Sequence, residues 1–231
     1  MGRVQVFDVN ETLLDLAAMD PHFQRIFGDP GVRVTWFTQM VSSALVATVT
    51  GTYHPFGDHA MAALEMTAEQ AGVTLADDDK QAVAAQLRQL PAHPEVASAL
   101  GRLRDAGLRL AALTNSTEEV ATAQLTHAGL IDRFELVLSA DTVGRLKPAP
   151  EPYQMAAQRL GVAVGQVRLI PAHAWDVAGA AGAGCATAFV ARPGKILDPL
   201  VERPGIVGAD LAEVADAILA TEGPATAPGP T

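Results

Sequence analysis

The chain has 231 residues, of which 49% are hydrophobic and 18% are charged, and this suffices for one large domain or for a core domain that carries an insertion. Its net charge of −10 and its scattered basic residues exclude a basic surface for nucleic acid, so we expect a small soluble substrate as the partner. No apolar run approaches the ~18 residues of a membrane span, the N-terminus lacks a signal-peptide pattern, and Cys185 is the single cysteine, which predicts a cytoplasmic protein without disulfides or membrane contacts.

The N-terminal part of the sequence begins with a strand and continues into helices. Residues 3–9, RVQVFDV, are largely apolar and β-branched, which predicts a short buried strand. Between about 14 and 90 the apolar residues recur at intervals of three and four, as in a series of amphipathic helices. The segments GDPG at 28–31 and GTYHPFGD at 51–58 interrupt this pattern. We therefore predict a helical cap domain of three or four helices at residues 14–91.

The remainder of the chain alternates between strand and helix patterns. Buried strands are predicted near residues 108, 134, 166 and 186, and helices near residues 95, 117, 150, 175 and 210. Such alternation predicts a parallel sheet that helices cover on both faces. We assign residues 1–13 and 92–221 to an α/β core of the doubly wound, Rossmann-like type. The segment EGPATAPGPT at 222–231 has the composition of a disordered tail.

Polar side chains follow the predicted strands at the points where each strand ends. In doubly wound sheets ligands bind beyond the carboxyl ends of the strands, near the point where the strand order reverses. We therefore expect a nucleophile, a cation, several donors and a second carboxylate to meet in one crevice. The side chains concerned are Asp8 and Thr12 after the first strand, Thr114 and Asn115 after the second, Lys147 and Tyr153 after the third, and His173 and Asp176 after the fourth.

Each of these residues also has a structural interpretation. Asp8, Thr114, Asn115 and Asp176 could cap the turn or helix that follows them. Lys147 could be a solvated loop residue, which is the usual situation of lysine. Their joint placement at consecutive strand ends favours the functional interpretation.

Four short motifs resemble those of the haloacid dehalogenase superfamily. They are a hydrophobic strand followed by Asp8-x-x-x-Thr12, LTN at 113–115, KP at 147–148 and a closing Asp176. The segments FDVNETLLD, LKPAPEPY and AWD resemble most closely its type II L-2-haloacid dehalogenase branch. The resemblance covers the chain to about residue 220, and it implies an α/β core with a helical cap inserted after the first strand.

The resemblance implies a hydrolase that acts on carbon–halogen bonds without a cofactor or metal ion. Asp8 would attack the halogen-bearing carbon of a short 2-halo acid, which leaves an ester on the Asp8 side chain. Water would then attack the ester carbonyl and release a 2-hydroxy acid. Two negative charges must approach in this scheme, and their repulsion in a poorly solvated pocket amounts to several kcal/mol unless a cation offsets it. Lys147 is the lysine placed for that purpose.

The remaining roles follow from the same resemblance. Asp176 would hold or activate the hydrolytic water, and Thr12, Thr114 and Asn115 would donate hydrogen bonds to the substrate carboxylate or to the ester oxygen. Tyr153 matches a position that lines the site, although a core aromatic residue at the start of a helix would have the same pattern.

A magnesium-dependent phosphatase of the same superfamily is the alternative function. Such enzymes usually carry a second aspartate two residues after the nucleophile, where this chain has Asn10, which cannot donate a proton in that role. They also need an acidic cluster for the metal ion, and the fourth motif offers only Asp176 beside His173, although a site formed by these two residues is conceivable.

Three positions depart from the pattern of the branch. Its cap-helix tryptophan is normally followed by an arginine that grips the departing halide, whereas Trp36 is followed by Phe37, whose ring cannot replace that charge. Arg33, one helical turn earlier, is a candidate substitute or a surface residue. Pro171 and His173 stand where the family has serine and asparagine, and His173 could be a hydrogen-bond donor, a proton shuttle or a structural residue.

These departures leave three hypotheses. The first is a 2-haloacid dehalogenase, the second is a relative that uses Asp8 on another small substrate, and the third is a catalytically weak member retained for binding. The sequence predicts a substrate pocket set by Phe37, Met40, Tyr53 and Phe56 without revealing its shape. Members of the branch are often dimers, and the apolar cap helices of this chain permit a homodimer.

Overall fold

Six parallel strands form the centre of the structure, a computed structural model that describes residues 2–222. Their order across the sheet is β3-β2-β1-β4-β5-β6, and β1 pairs with β2 on one side and with β4 on the other. The order therefore reverses between β1 and β4, and a crevice opens at the carboxyl ends of these strands. The bounds are β1 (Val4–Phe7), β2 (Leu110–Thr114), β3 (Leu136–Ser139), β4 (Val167–Ile170), β5 (Ala186–Val190) and β6 (Ile206–Gly208).

Helices cover both faces of the sheet, which confirms the predicted doubly wound α/β fold. The side chains of Val4 and Val6 join a core with α7 and α8, whereas Phe7 joins a second core with α5 and α9. Because both faces of β1 are buried, its whole length is apolar apart from Gln5. The helices here are α5 (Val96–Asp105), α6 (Glu118–His127), α7 (Pro150–Leu160), α8 (Ala174–Gly182) and α9 (Leu211–Glu222).

Four further helices lie between β1 and β2, as the predicted insertion after the first strand requires. They are α1 (Asp20–Phe27), α2 (Val32–Thr50), α3 (Phe56–Ala71) and α4 (Asp77–Leu87). Left-handed glycines end three of them, Gly28, Gly51 and Gly72, and the first two lie at the breaks predicted from the sequence. The division into a cap at residues 14–91 and a core domain stays a prediction. Residues 223–231, most of the predicted tail, lie outside the described residues, and Glu222 belongs to α9.

The strand β6 is the element that the sequence did not predict. It has only three residues, and Val207 at its centre is partly exposed. A run this short carries no readable periodicity, and its pairing with β5 comes from tertiary packing. The error lies at the far edge of the sheet and does not affect the crevice between β1 and β4.

Candidate active site

Asp8, Lys147 and Asp176 meet at the carboxyl edge of the sheet, as the strand ends predicted. The Lys147 ammonium donates hydrogen bonds to Asp8 Oδ1 at 2.9 Å and to Asp176 Oδ2 at 2.6 Å. Its third bond goes to the carbonyl oxygen of Leu113 at 3.0 Å. Lys147 is 1% exposed and Asp176 0% exposed, so one ammonium bridges two carboxylates inside the protein and the solvated-loop interpretation of Lys147 is wrong.

The electrostatics of this group make Asp8 the carboxylate that stays ionised. Burial alone would raise the pKa of Asp8, but Lys147 and His173 together hold it far below its usual range. Burial raises the pKa of Asp176, an effect that Lys147 opposes and the nearby Asp8 carboxylate reinforces. Burial likewise lowers the pKa of Lys147, but Asp176 and Asp8 outweigh it, so the net shift is upward and the ammonium keeps its charge. The arrangement places an ionised carboxylate beside a cation.

Tyr153 completes the surroundings of Asp176. Its hydroxyl donates a hydrogen bond of 2.6 Å to Asp176 Oδ1, and burial raises the pKa of Tyr153 well above its usual value. Both oxygens of Asp176 therefore have a donor within the protein. The helix α8 approaches this tyrosine so closely that a Cβ atom on Gly179 would lie 2.6 Å from the hydroxyl and 2.5 Å from Pro148 Cβ. A glycine at position 179 is thus a condition for this packing.

Asn115 holds the main chain of Lys147 in place. Its side-chain oxygen accepts from the Lys147 amide nitrogen at 2.8 Å, and its side-chain nitrogen donates to the Lys147 carbonyl oxygen at 3.2 Å. The hydroxyl of Thr114 accepts from the Ser116 amide nitrogen at 3.1 Å. These contacts give Asn115 and Thr114 partners in the protein, where the sequence predicted hydrogen bonds to a substrate.

The alternative of helix capping is wrong for these residues. The N-cap of α6 is Thr117, whose side chain accepts from the Val120 amide nitrogen, and not Thr114 or Asn115. The N-cap of α8 is His173, without a side-chain capping bond. Asp176 uses its carboxylate on Lys147 and Tyr153.

Thr12 and His173 lie on the other side of the Asp8 carboxylate. The Thr12 hydroxyl donates to Asp8 Oδ2 at 2.7 Å and accepts from the Ala172 amide nitrogen at 2.9 Å. His173 Nδ1 lies 3.3 Å from the same Asp8 oxygen, yet it forms no hydrogen bond within residues 2–222. The two oxygens of Asp8 thus face chemically different neighbours.

His173 extends this side toward a second group of charges. Its Nε2 lies 2.9 Å from Glu11 Oε2, and the Lys195 ammonium donates to the same Glu11 oxygen. The imidazole stacks between the Phe37 ring, with centroids 5.6 Å apart, and the Trp175 ring, with centroids 5.2 Å apart. Although burial lowers the pKa of His173, the Asp8 and Glu11 carboxylates raise it overall above 6.5. Phe37 therefore contacts the site through His173.

Glu11, Lys195 and Trp175 are site residues that the sequence reasoning missed. Glu11 lies in the same turn as Asp8 and Thr12 and has a left-handed backbone with φ of 60°. Lys195 follows the carboxyl end of β5. Position after a strand end is the same sequence signal that identified Lys147. Its ammonium lies 5.3 Å from the Phe37 ring centroid, so a cation stands near the position where the branch has its arginine.

Two cavities adjoin the site. One, of about 330 Å³, is lined by Phe37, Met40 and Phe56 together with Asn10 and Ser116. Three of the four residues predicted to shape the pocket thus line one cavity, whereas the Tyr53 hydroxyl bonds to Asp141.

The other cavity, of about 550 Å³, is lined by Glu11, Arg33 and Lys195 among others. Arg33, the candidate substitute for the missing arginine, donates to Asp20 Oδ1, and its Nη1 lies 3.9 Å from Glu11 Oε1.

The donor set of the site does not fit a magnesium ion. Magnesium prefers several oxygen ligands in octahedral array, but Lys147 already bonds to both Asp8 and Asp176. Asn10 donates its side-chain amide to Ser116 Oγ at 3.3 Å. Over residues 2–222 no cluster of three His, Cys, Asp or Glu side chains has the geometry to hold a metal ion.

Two features away from the site bear on the sequence predictions. Cys185 is buried, and burial raises its pKa to about 12, so its thiol is not activated. None of the helices described between residues 2 and 222 combines the length and the apolar character that crossing a membrane requires.

Comparison with known proteins identifies relatives along most of the chain. A family model described as haloacid dehalogenase-like hydrolase matches residues 3–184. (S)-2-haloacid dehalogenase 1 of Pseudomonas sp. (strain CBS-3) is 30% identical over 84% of this chain and 86% of its own length. (S)-2-haloacid dehalogenase 2 of the same strain is 28% identical over 92% of this chain and 93% of its own.

A solved structure shows the same fold. The L-2-haloacid dehalogenase of Xanthobacter autotrophicus, in a structure with chloropropionic acid covalently bound, has a TM-score of 0.88 and 24% sequence identity. The match covers 96% of this chain and 100% of that one.

Proposed function

The chain belongs to the haloacid dehalogenase-like hydrolases, and we propose that it converts a short 2-haloalkanoic acid to the 2-hydroxy acid and halide. Asp8 attacks the carbon that carries the halogen, the halide leaves with the bonding electrons, and an ester forms on the Asp8 side chain. Water then cleaves this ester at its carbonyl carbon. The curated relatives at 28–30% identity are named for action on such acids.

The observation that carries the proposal is the Lys147 bridge between Asp8 and Asp176. An anionic nucleophile must accept an anionic substrate, and two carboxylates about 4 Å apart repel each other by roughly 4 kcal/mol in the effective dielectric of a partly buried site. The Lys147 ammonium, 2.9 Å from Asp8 Oδ1, offsets this repulsion and keeps Asp8 ionised at neutral pH. Asp176 and Tyr153 hold the ammonium at that position, which makes them positioning residues in our proposal.

The remaining predicted residues divide by what they contact. Thr12 donates to Asp8 Oδ2, so it can stabilise negative charge on that oxygen when water attacks the ester. Asn115 and Thr114 act on the protein itself, since Asn115 fixes the Lys147 main chain. We place the alkyl group of the substrate in the cavity of about 330 Å³, whose apolar lining suits a short carbon chain.

The proposal disfavours a magnesium-dependent phosphatase. In such an enzyme the two carboxylates would serve the metal ion, whereas here both bond to Lys147. Asn10 supplies no proton for a leaving group, because a carboxamide does not act as an acid near neutral pH.

Halide release from 2-chloropropionate tests the proposal. We expect release by the wild-type protein that is unchanged by a chelator, and loss of release in Asp8→Asn. Asp15→Asn is the matched control, because the Asp15 carboxylate accepts from the Ala17 amide nitrogen in an exposed turn. Magnesium-dependent phosphate release, or no activity on a panel of halo acids, would replace the proposal with a phosphatase or with a catalytically weak binding protein.

We propose further that the protein works in the cytoplasm as a homodimer. The apolar side chains of Val46 and Val49 on α2 and Met66 on α3 are exposed, which leaves apolar surface on the inserted helices. Sedimentation at micromolar concentration checks this, and a monomer throughout would contradict it.

A further inference from the structure

We infer that His173 is a catalytic base in this enzyme and that Glu11 is its positioning partner, with both acting when water cleaves the Asp8 ester. The inference rests on the proposed function and deepens it. Among residues 2–222, His173 is the one buried titratable side chain apart from Lys147 that contacts Asp8. The family resemblance assigns no such role to this position, where it implies an asparagine.

The contacts of the imidazole set its tautomer. Glu11 Oε2 lies 2.9 Å from Nε2, so the neutral ring keeps its proton on Nε2 and has its lone pair on Nδ1. Nδ1 lies 3.3 Å from Asp8 Oδ2 and has no hydrogen-bond partner within residues 2–222. The stacked rings of Phe37 and Trp175 hold the imidazole plane. A ring held in this way presents a proton acceptor beside the carboxyl group that becomes the ester.

Asp176 is less suited to that step. Its oxygens accept from Lys147 and Tyr153 at 2.6 Å each, and its side chain is 0% exposed. Lys147 bridges it to Asp8, so the ammonium stands where a water molecule would have to pass a proton to Asp176. His173 has no comparable barrier, because its free Nδ1 faces Asp8 directly.

The charge on Asp8 changes during the reaction, and this change regulates His173. The charged groups that face the imidazole are Asp8 and Glu11. Lys195 and Arg33 act through Glu11, and Lys147 acts through Asp8. Before the reaction both carboxylates favour the imidazolium form. Formation of the ester removes the Asp8 charge, so the pKa of His173 falls and the neutral base becomes available when the water needs it.

The protons balance in the following way. The water oxygen bonds to Asp8 Cγ while one water proton moves to His173 Nδ1. The tetrahedral intermediate then breaks the bond between Asp8 Cγ and the ester oxygen, the former Asp8 oxygen that is now bonded to the substrate carbon. That oxygen takes the proton from His173 and becomes the hydroxyl of the product. The proton left on the new Asp8 carboxyl passes to His173, which restores the imidazolium and the Asp8 carboxylate. Loss of the halide occurs earlier and needs no proton. Once the ester has formed, the resting imidazolium gives its Nδ1 proton to solvent, and this is the one proton that each turnover releases.

Glu11 connects this base to solvent. Exposure of the side chains rises from 6% at His173 to 11% at Glu11 and 23% at Lys195, and Glu11 and Lys195 line the larger cavity. Among residues 2–222 Glu11 is the one non-glycine residue with a positive φ, 60°. A side chain in this region carries strain on the order of 1 kcal/mol, which supports a specific role for the Glu11 carboxylate.

The test measures formation and breakdown of the ester separately in His173→Asn and in Glu11→Gln. In rapid-quench experiments with 2-chloropropionate we expect His173→Asn to release one halide per site at an undiminished rate. Its ester should then decay about 100-fold more slowly or worse, as for other general bases, and mass spectrometry should show the adduct on the Asp8 peptide. Glu11→Gln should retain the base but shift the pH profile of ester decay to lower pH, because it removes a carboxylate that stabilises the imidazolium.

The matched control is His127→Asn, since the His127 side chain is exposed in the last turn of α6. It should leave both steps unchanged. Normal ester decay in both variants would overturn the inference while the proposed function stands, and so would loss of the halide burst in a folded His173→Asn protein. A wild-type protein that forms no ester would overturn the proposed function and this inference together.

Discussion

The two oxygens of Asp8 face regions that are built on different physical principles. The Lys147 side comprises Asp8 Oδ1, Lys147, Asp176 and Tyr153. The Lys147 ammonium and the Asp176 carboxylate are fully buried there, and every Lys147 donor is bonded. The His173 side comprises Asp8 Oδ2, Thr12, His173, Glu11 and Lys195, and it becomes more exposed toward Lys195.

The two sides differ in how their cationic groups respond to pH. The pKa of Lys147 is raised by Asp176 and Asp8 against the effect of burial, so the two carboxylates stabilise its charged form. The pKa of His173 is raised from a value of 6.5, so its charge responds to pH and to the state of Asp8. In our proposal the Lys147 side keeps the Asp8 nucleophile ionised, and the His173 side transfers protons.

The largest expected effect comes from breaking the Lys147 side. Lys147→Met leaves two buried carboxylates without their cation, which typically costs about 3–5 kcal/mol of unfolding free energy. Halide release should fall at least ~1,000-fold, because roughly 4 kcal/mol of uncompensated repulsion has that effect on a rate. Urea denaturation and halide assays measure both quantities.

Lys80→Met is the control for that change, because Lys80 forms a surface pair with Glu65. It should alter neither the stability nor the rate. If Lys147→Met retained wild-type turnover, the Lys147 side would have no role in the reaction.

A smaller loss of stability is expected from adding a methyl group at Gly179, next to Tyr153 on the Lys147 side. Gly179→Ala would place a Cβ atom 2.6 Å from the Tyr153 hydroxyl, so it should displace Tyr153 and cost about 1–3 kcal/mol of stability. Gly182→Ala on the same helix has no atom within 4 Å of the new Cβ and should be neutral or slightly stabilising. Equal melting temperatures for the two variants would show that the packing around Tyr153 is loose.

The smallest effect is expected from His173→Asn on the free energy of unfolding, and its size depends on pH. Because the pKa of His173 is higher in the folded protein than its value of 6.5, its contribution is complete below pH 6.5 and disappears as the pH rises through the folded pKa. The loss of unfolding free energy in His173→Asn should therefore be about 1–2 kcal/mol at pH 6 and smaller at pH 9. Urea titrations at the two pH values measure the difference, and a larger loss at pH 9 would contradict the charge assigned to His173.

The sequence predicts the Lys147 side better than the His173 side. The carboxyl ends of parallel strands meet at one edge of a sheet, so the residues that follow each strand are enough to bring Asp8, Lys147 and Asp176 together. His173 is predicted to line the site, but its partners depend on the φ of Glu11 and on a loop after β5 that carries Lys195. No local pattern encodes these features, and the same holds for the contact of Gly179 with Tyr153.

The central claim is that Asp8 bonds covalently to carbon, and a single turnover in water enriched in heavy oxygen tests it most directly. If water attacks the Asp8 ester at its carbonyl carbon, the heavy oxygen enters the Asp8 side chain and the first molecule of hydroxy acid carries ordinary oxygen. Mass spectrometry of the peptide that contains Asp8 should therefore show the added mass. Heavy oxygen in the first product molecule and none in Asp8 would mean that water attacks the substrate itself, which would contradict the account.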